Sequence, residues 1–339
     1  MTVRPLAGIS VLDLTTFLSG PYAVMALGQL GASVVKVEPP TGDPTRAGKA
    51  EPDSDFWFAL HRGRKSIVLD LKNDGARAQL LRLVHRSDVV VDNARAGVME
   101  RLGLSPAVLR EANSRVITCS ITGYGESGPL ARGPAIDGVI QAFTGAFDFP
   151  EAFGETPGPL AVQIADLAGG AAASQAILAA LFEREQTGRG VHVTISLIDA
   201  LMPWLSIADR SATMKTPNTI VALGSDGKRF VVQTPLHFRA RLASLLQLEF
   251  TPTADYAAEV RAALASKPRD EWLQTLATEG IPAAPVHSYA EALSHPATAT
   301  ETVGTHMVPA SPFVFDGQRN PSTEEPPGLG RHNLDVLGT

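Results

Sequence analysis

Cysteine is nearly absent from this chain of 339 residues. Cys119 stands alone, so no intrachain disulfide can form, and a reducing, cytoplasmic setting is expected. A basic excess is lacking too. The formal charge of −6 argues against a nucleic-acid partner, whose phosphates need a basic surface. The longest apolar run, Ala171 to Phe182, contains Ser174 and Gln175 and is too short for a bilayer, so no membrane partner is expected. Met1 to Leu6 carries an arginine but no apolar segment of signal-peptide length. The histidines, among them His61, His192, His237 and His332, never pair at helix or hairpin spacing, so no metal is expected. No G-x-G-x-x-G follows the first strand, which weakens a dehydrogenase reading although Glu38 stands where a ribose-binding acid would.

What is present reads as an α/β enzyme. A content of 44% apolar and 19% charged residues is ordinary for a globular chain, and the length allows two domains. Ile9 to Leu14 predicts a strand and Pro21 to Leu30 a helix, with Ser19 as a candidate cap and Pro21 suited to the first turn. Ser33 to Glu38 is the next strand, which completes a βαβ unit and points to a parallel sheet. Further strands are expected at Lys65–Leu71, Asp88–Asp92, Arg115–Ile121 and Val191–Ser196, with a helix over Gly75–His85. The text changes beyond Met202. Residues 206–219 read as a linker, 220–296 as a smaller α+β domain opening on a hairpin, and 297–339 as a proline-rich tail lying on a surface. Residues 1–205 form the large domain.

The organising stretch is Ile164 to Gly170, which puts Asp166 at the mouth of a long helix of small residues closed by Gly188 and Gly190. An aspartate there can cap free N–H groups in the positive end of the helix dipole. The same field favours the ionised form that a carboxylate nucleophile needs. Position alone does not choose between them. Arg62, Arg64, Lys65 and Lys72 cluster around a strand, either as a solvated face or as a cradle for a phosphorylated ligand, with Arg101 able to join them. Gly123 to Gly128 lacks the G-x-S-x-G spacing of a nucleophile elbow and offers backbone donors instead.

Taken together, these segments resemble the class III CoA-transferases, the family that includes the α-methylacyl-CoA racemases. The likeness runs through Val11-Leu12-Asp13-Leu14-Thr15, Ser19-Gly20-Pro21 and Val35-Lys36-Val37-Glu38-Pro39. It continues with Leu69-Asp70-Leu71-Lys72, Asn93, Arg101-Leu102-Gly103-Leu104, Gly123-Tyr124-Gly125, Gln141-Ala142, Thr187-Gly188-Arg189-Gly190 and Gly330-Arg331-His332.

The resemblance implies a Rossmann-like large domain with a parallel sheet, a smaller α+β domain, and an interlocked homodimer whose tail returns to the large domain. It implies a coenzyme A thioester as substrate, no permanently bound cofactor, and a carboxylic acid as second substrate. By motif position CoA would meet Thr16, Phe17, Leu18, Leu69, Lys72, Asn93, Ala94 and Arg101. Asp166 falls on the catalytic aspartate, which would carry an aspartyl-CoA thioester.

Ile136 and Asp137 mark an acyl site. There the racemases carry a His-Asp pair, and isoleucine takes no proton, so the two-base alternative loses a member. Phe143, Phe147, Phe149 and Phe153 offer an apolar lining. The small-domain glycine loop is reduced to Leu223-Gly224-Ser225, shortening is concentrated around Ala208 to Val221, and Ala94 and Ala96 replace bulkier residues. A CoA-binding protein with little catalysis is the third reading.

Overall fold

A computed structural model of the chain describes residues 3–46, 55–148, 156–207, 218–249, 256–321 and 324–338. The chain divides into two compact units. The first holds Met1–Ala146, Pro159–Ser206 and Ala299–Thr339; the second holds Phe147–Gly158 and Ile207–Thr298.

The first unit is built on six parallel strands: β1 (Ser10–Asp13), β2 (Ser33–Glu38), β3 (Lys65–Val68), β4 (Val89–Asp92), β5 (Ile117–Thr122) and β6 (His192–Ser196). Their spatial order is β3-β2-β1-β4-β5-β6, the doubly wound arrangement. β4 and β5 are buried at every position, as parallel strands covered on both faces must be. The helices are α1 (Ser19–Gln29), α2 (Asp55–His61), α3 (Asp74–Val84), α4 (Val98–Arg101), α5 (Pro106–Ala112), α6 (Asp137–Thr144), α7 (Ile164–Thr187) and α8 (Leu197–Ser206). The expected α/β sheet is there. Five of these helices go unseen in the sequence: α2 and α4 to α6, each of eight residues or fewer and too short to show periodicity, and the ten-residue α8, which follows β6 directly.

β3 ends at Val68, short of the predicted Leu71. Strand order reverses between β1 and β4, and ligands of such folds sit outside the carboxyl ends of the strands at that crevice.

The whole of α7 is longer than the Ala171–Phe182 run and, by length and composition alone, long and apolar enough to cross a bilayer. Half of its most apolar window is buried, and it packs against α1, α6, α8, β5 and β6, as a core helix does. Glycine makes the approach to α1 possible. A Cβ on Gly170 would lie 2.5 Å from the Ser19 carbonyl oxygen, so only glycine lets α7 come this near α1.

The second unit opens with the expected hairpin, β7 (Thr219–Leu223) against β8 (Arg229–Gln233), joined antiparallel to β9 (Ala283–Pro285) after α9 (Leu236–Leu246), α10 (Tyr256–Leu264) and α11 (Arg269–Thr278). Phe230, Tyr256, Leu264 and Trp272 are among its core residues. α12 (Tyr289–Ser294) follows, starting with a capping box at Ser288 and Glu291.

The chain then re-enters the first unit as the hairpin β10 (Thr300–Val303) and β11 (His306–Pro309), ending in α13 (Asn333–Leu337). The tail is more than a surface strap. Ser66 N donates to His332 Nδ1 at 3.1 Å, Val68 N donates to Asn333 Oδ1 at 2.8 Å, and His332 N donates to the Ser66 carbonyl at 3.0 Å. The free edge of β3 is thereby covered.

Candidate active site

Asn93, just past the end of β4, stitches the switch point together. Its Oδ1 accepts from Thr16 N at 2.8 Å and its Nδ2 donates to the Thr16 carbonyl at 2.7 Å. The clamped turn leaves Phe17 with φ +62° and its ring 58% exposed, a strained position for a bulky residue. α1 starts with Leu18 as N-cap, and no side chain caps it. The Ser19 hydroxyl, expected as that cap, instead favours the charged form of the Asp166 carboxylate.

Asp166 does not cap its own helix either. The N-cap of α7 is Gln163, without a side-chain cap bond. The free amides are served from α6: Asp137 Oδ1 accepts from Ala165 N at 2.8 Å and from Asp166 N at 3.2 Å. Asp137 Oδ2 accepts from Gln141 Nε2 at 2.5 Å, and Gln141 Oε1 accepts from Leu160 N at 2.9 Å. The cap and the carboxylate beside it thus come from different helices.

This has an electrostatic result opposite to the one expected from the helix dipole. Burial, and next the negative charge of Asp137, push the Asp166 carboxyl up to about 6, while the Ser19 hydroxyl pulls it back. Desolvation and a like charge outweigh the helix end. At neutral pH the group is still mostly ionised, and more basic than an ordinary carboxylate.

Asp166 opens into a cavity of about 760 Å³. Of the residues predicted to bind CoA, Thr16, Phe17, Asn93 and Ala94 line it, as do Ile136, Asp137 and Gly123. Leu18 and Leu69 are buried and Lys72 and Arg101 exposed, and none of the four is on this wall. The side-chain amide of Asn93 is engaged by Thr16, so its contribution is to hold the turn. Phe143 and Phe147 are not on the wall, and Phe149, Phe153 and most of Ala208 to Val221 lie outside the described residues. The amide of Gly125 donates to Thr122 Oγ1 at 2.9 Å and is not free for an oxyanion.

Two readings of charged residues fail outright. Arg64 is buried, donating to Asp13 Oδ2 and to the Pro21 carbonyl, each at 2.6 Å, so this member of the basic cluster around β3 is closed to a phosphate. Glu38 is held by Arg46 and Ser66 and is closed to a ribose. Ser19, Gln141 and Gln163 also line the wall, unforeseen from the sequence; only the Gln141-Ala142 block hinted at one of them.

A smaller cavity of about 340 Å³ shares Ala94, Arg95 and Thr122 with the first and holds Asp92, pushed up to about 6 by burial. Ser120 donates to it at 2.8 Å. Among the described residues no group of three or more His, Cys, Asp or Glu could hold a metal.

A doubly wound sheet whose crevice is bordered by the raised carboxyls of Asp92 and Asp166 is an α/β scaffold of the kind that binds ligands outside its strand ends. The sequence model of CoA-transferase family III matches residues 6–226 and 231–333, and the chain belongs to that family. It is 34% identical to the acetyl-CoA:oxalate CoA-transferase of Acetobacter aceti, across 98% of this chain and 94% of that protein. It is 28% identical to the succinyl-CoA:glutarate CoA-transferase of mouse, across 99% of this chain and 86% of that protein. A crystal structure of Rv3272 from Mycobacterium tuberculosis superposes with a TM-score of 0.86 at 30% identity, covering 99% of this chain and 100% of that one. The protein is a CoA-transferase with a CoA thioester as substrate.

Proposed function

We propose that the protein moves CoA between carboxylic acids through an aspartyl-CoA thioester on Asp166. The observation that carries this reading is a half-buried, unusually basic carboxylate on a cavity wall whose described residues include no histidine, cysteine or lysine. The chemistry needs none. An Asp166 oxygen attacks the donor thioester carbonyl and the C–S bond breaks, giving a mixed anhydride and CoA thiolate. The thiolate attacks the aspartyl carbonyl and expels the donor carboxylate. The acceptor carboxylate attacks the aspartyl thioester and releases the thiolate. The thiolate then takes the acceptor acyl group and frees Asp166. Each step exchanges one anion for another and no proton moves.

In this reading Asp137 holds the start of α7, Ser19 aims the carboxylate, and Thr16, Phe17, Asn93 and Ala94 border the thioester end. Leu18 and Leu69 would reach CoA only through their backbones. Lys72 and Arg101, exposed and cationic, suit its phosphates. The assembly that goes with this site is the interlocked homodimer, in the cytoplasm.

The test is intact-protein mass spectrometry of the native chain and Asp166→Ala after incubation with acyl-CoAs and then hydroxylamine. A hydroxamate at Asp166, seen only in the native protein, is expected. No hydroxamate, together with α-deuterium exchange of a 2-methylacyl-CoA in heavy water, would replace the transferase by the racemase.

A further inference from the structure

Gln141, buried on α6 at 1% exposure, has its whole side-chain amide engaged. Its Nε2 donates to Asp137 Oδ2 at 2.5 Å and to the Val162 carbonyl at 3.2 Å, and its Oε1 accepts from Leu160 N at 2.9 Å. Two donors and an acceptor in one plane are what a primary amide supplies. The partners lie in two directions. Asp137 stands one helical turn earlier on α6, whereas Leu160 and Val162 stand 19 and 21 residues later.

Both directions lead to Asp166. Asp137 Oδ1 holds the amides of Ala165 and Asp166, so with Oδ2 on Gln141 the carboxylate is pinned through both oxygens. Residues 159–163 belong to no helix or strand, yet Pro159, Leu160 and Gln163 wall the cavity, and Gln163 is the N-cap of α7. The Val162 carbonyl held by Gln141 also accepts from Ile164 N at 2.7 Å. A glutamine serving packing alone has no reason to place all three bonds on the approach to one carboxylate. A reacting group misplaced by about 1 Å can lose about a hundredfold in rate, so whatever fixes the start of α7 acts on the chemistry.

We propose that Gln141 is a positioning residue for the transfer at Asp166: one amide fixes both the acid that holds the first turn of α7 and the segment that walls the cavity beside it. This rests on the transferase reading above.

The experiment uses Gln141→Leu, which keeps the bulk of the side chain and removes the three bonds. Three quantities are compared with the native protein: single-turnover formation of the Asp166 hydroxamate from acetyl-CoA or succinyl-CoA, affinity for free CoA, and amide hydrogen exchange. The rate constant at saturating donor is expected to fall about tenfold or more. The dissociation constant of CoA should change less than about twofold, because Asn93 still holds the Thr16 turn. Exchange at Leu160, Ala165 and Asp166 should speed up about tenfold or more while β4 and β5 keep their native protection. A native rate constant in the variant overturns the proposal. So does faster exchange throughout β4 and β5, or an equal loss of rate and CoA affinity, since each marks a general loss of structure. If Gln141→Leu shows no urea transition, Gln141→Asn, whose amide falls one methylene short, carries the same comparison. A native chain that forms no hydroxamate from either donor removes the transferase reading, and the positioning role with it. Exchange needs no substrate, so an unchanged pattern there sinks the proposal and leaves the transferase reading standing.

Discussion

Two of the acid groups within the first unit are neutralised in opposite ways. Around β1 and β2, Asp13, Glu38 and Asp43 meet Lys36, Arg46 and Arg64, and all six are at most 4% exposed. Arg64 reaches Asp13 at 2.6 Å, Lys36 reaches Asp43 at 3.0 Å, and Arg46 grips Glu38 at 2.7 and 2.8 Å. At the start of α7, Asp137 and Asp166 have amides, Gln141 and Ser19 for company and no cation in an ion pair with them among the described residues. The first group is closed and holds the molecule together; Arg46 even reaches the Pro327 carbonyl at 3.0 Å and so ties down the tail. The second keeps its surplus charge, and that surplus makes Asp166 basic. Satisfied charge builds structure here, and unsatisfied charge is kept where chemistry is done.

Removing one partner from the closed group should have the largest effect. Arg64→Leu strands the buried Asp13 carboxylate and the Pro21 carbonyl, with an expected loss of about 3–5 kcal/mol in urea unfolding. Adding Asp13→Asn should restore part of it, because the orphaned charge goes. A loss below about 1 kcal/mol would make the two groups alike and dissolve the contrast.

The open group should respond with the opposite sign. The Asp166 carboxyl titrates near 6 in the folded protein and near 4 in the unfolded chain, so the fold prefers its protonated form. Stability that is present below about pH 4 is lost as pH rises through 6. Asp166→Asn should therefore abolish exchange yet stabilise the protein by about 1–3 kcal/mol at pH 7.5, a gain that fades towards pH 4. Unfolding curves across that range decide it.

Asp137→Asn tests what sets the surplus. Without the neighbouring charge the Asp166 carboxyl should fall towards its ordinary range, moving the acid limb of kcat/KM down by about one pH unit. The asparagine oxygen can still accept from the α7 amides, so the cost in stability should stay near 1 kcal/mol. An unmoved acid limb would leave burial as the sole cause.

The closed and open groups also differ in how far the sequence betrays them. The sheet was legible because the valine-rich Val34 to Val37 and the apolar Val89 to Val91 are short runs punctuated by Gly31, Pro39 and Asn93. Asp166 was legible as a helix-start acid. Its cap was not, since Asp137 stands 29 residues earlier and serves α7 only across a tertiary contact. The basic cluster misled for the same reason: Arg64 looks like a surface cation until Asp13, 51 residues away, is seen to bury it. Local pattern reports what a residue does for its own element. Which charge is neutralised by a distant partner depends on packing, such as the approach of α1 and α7 that Gly170 permits.

The smallest expected effect is the most diagnostic. Ser19→Ala deletes a hydroxyl but keeps the carbonyl that Gly170 packs against, so the seam between α1 and α7 should survive. What goes is the hydroxyl that favours the charged form of Asp166, and the carboxyl should rise by about half a unit to one unit. The acid limb of kcat/KM then moves up, opposite to Asp137→Asn, while the plateau rate above about pH 8 changes little. A merely structural serine would lower the rate at every pH and leave the limb where it was. Equal and opposite shifts from the two variants should nearly cancel in the double variant if the two groups act on Asp166 independently.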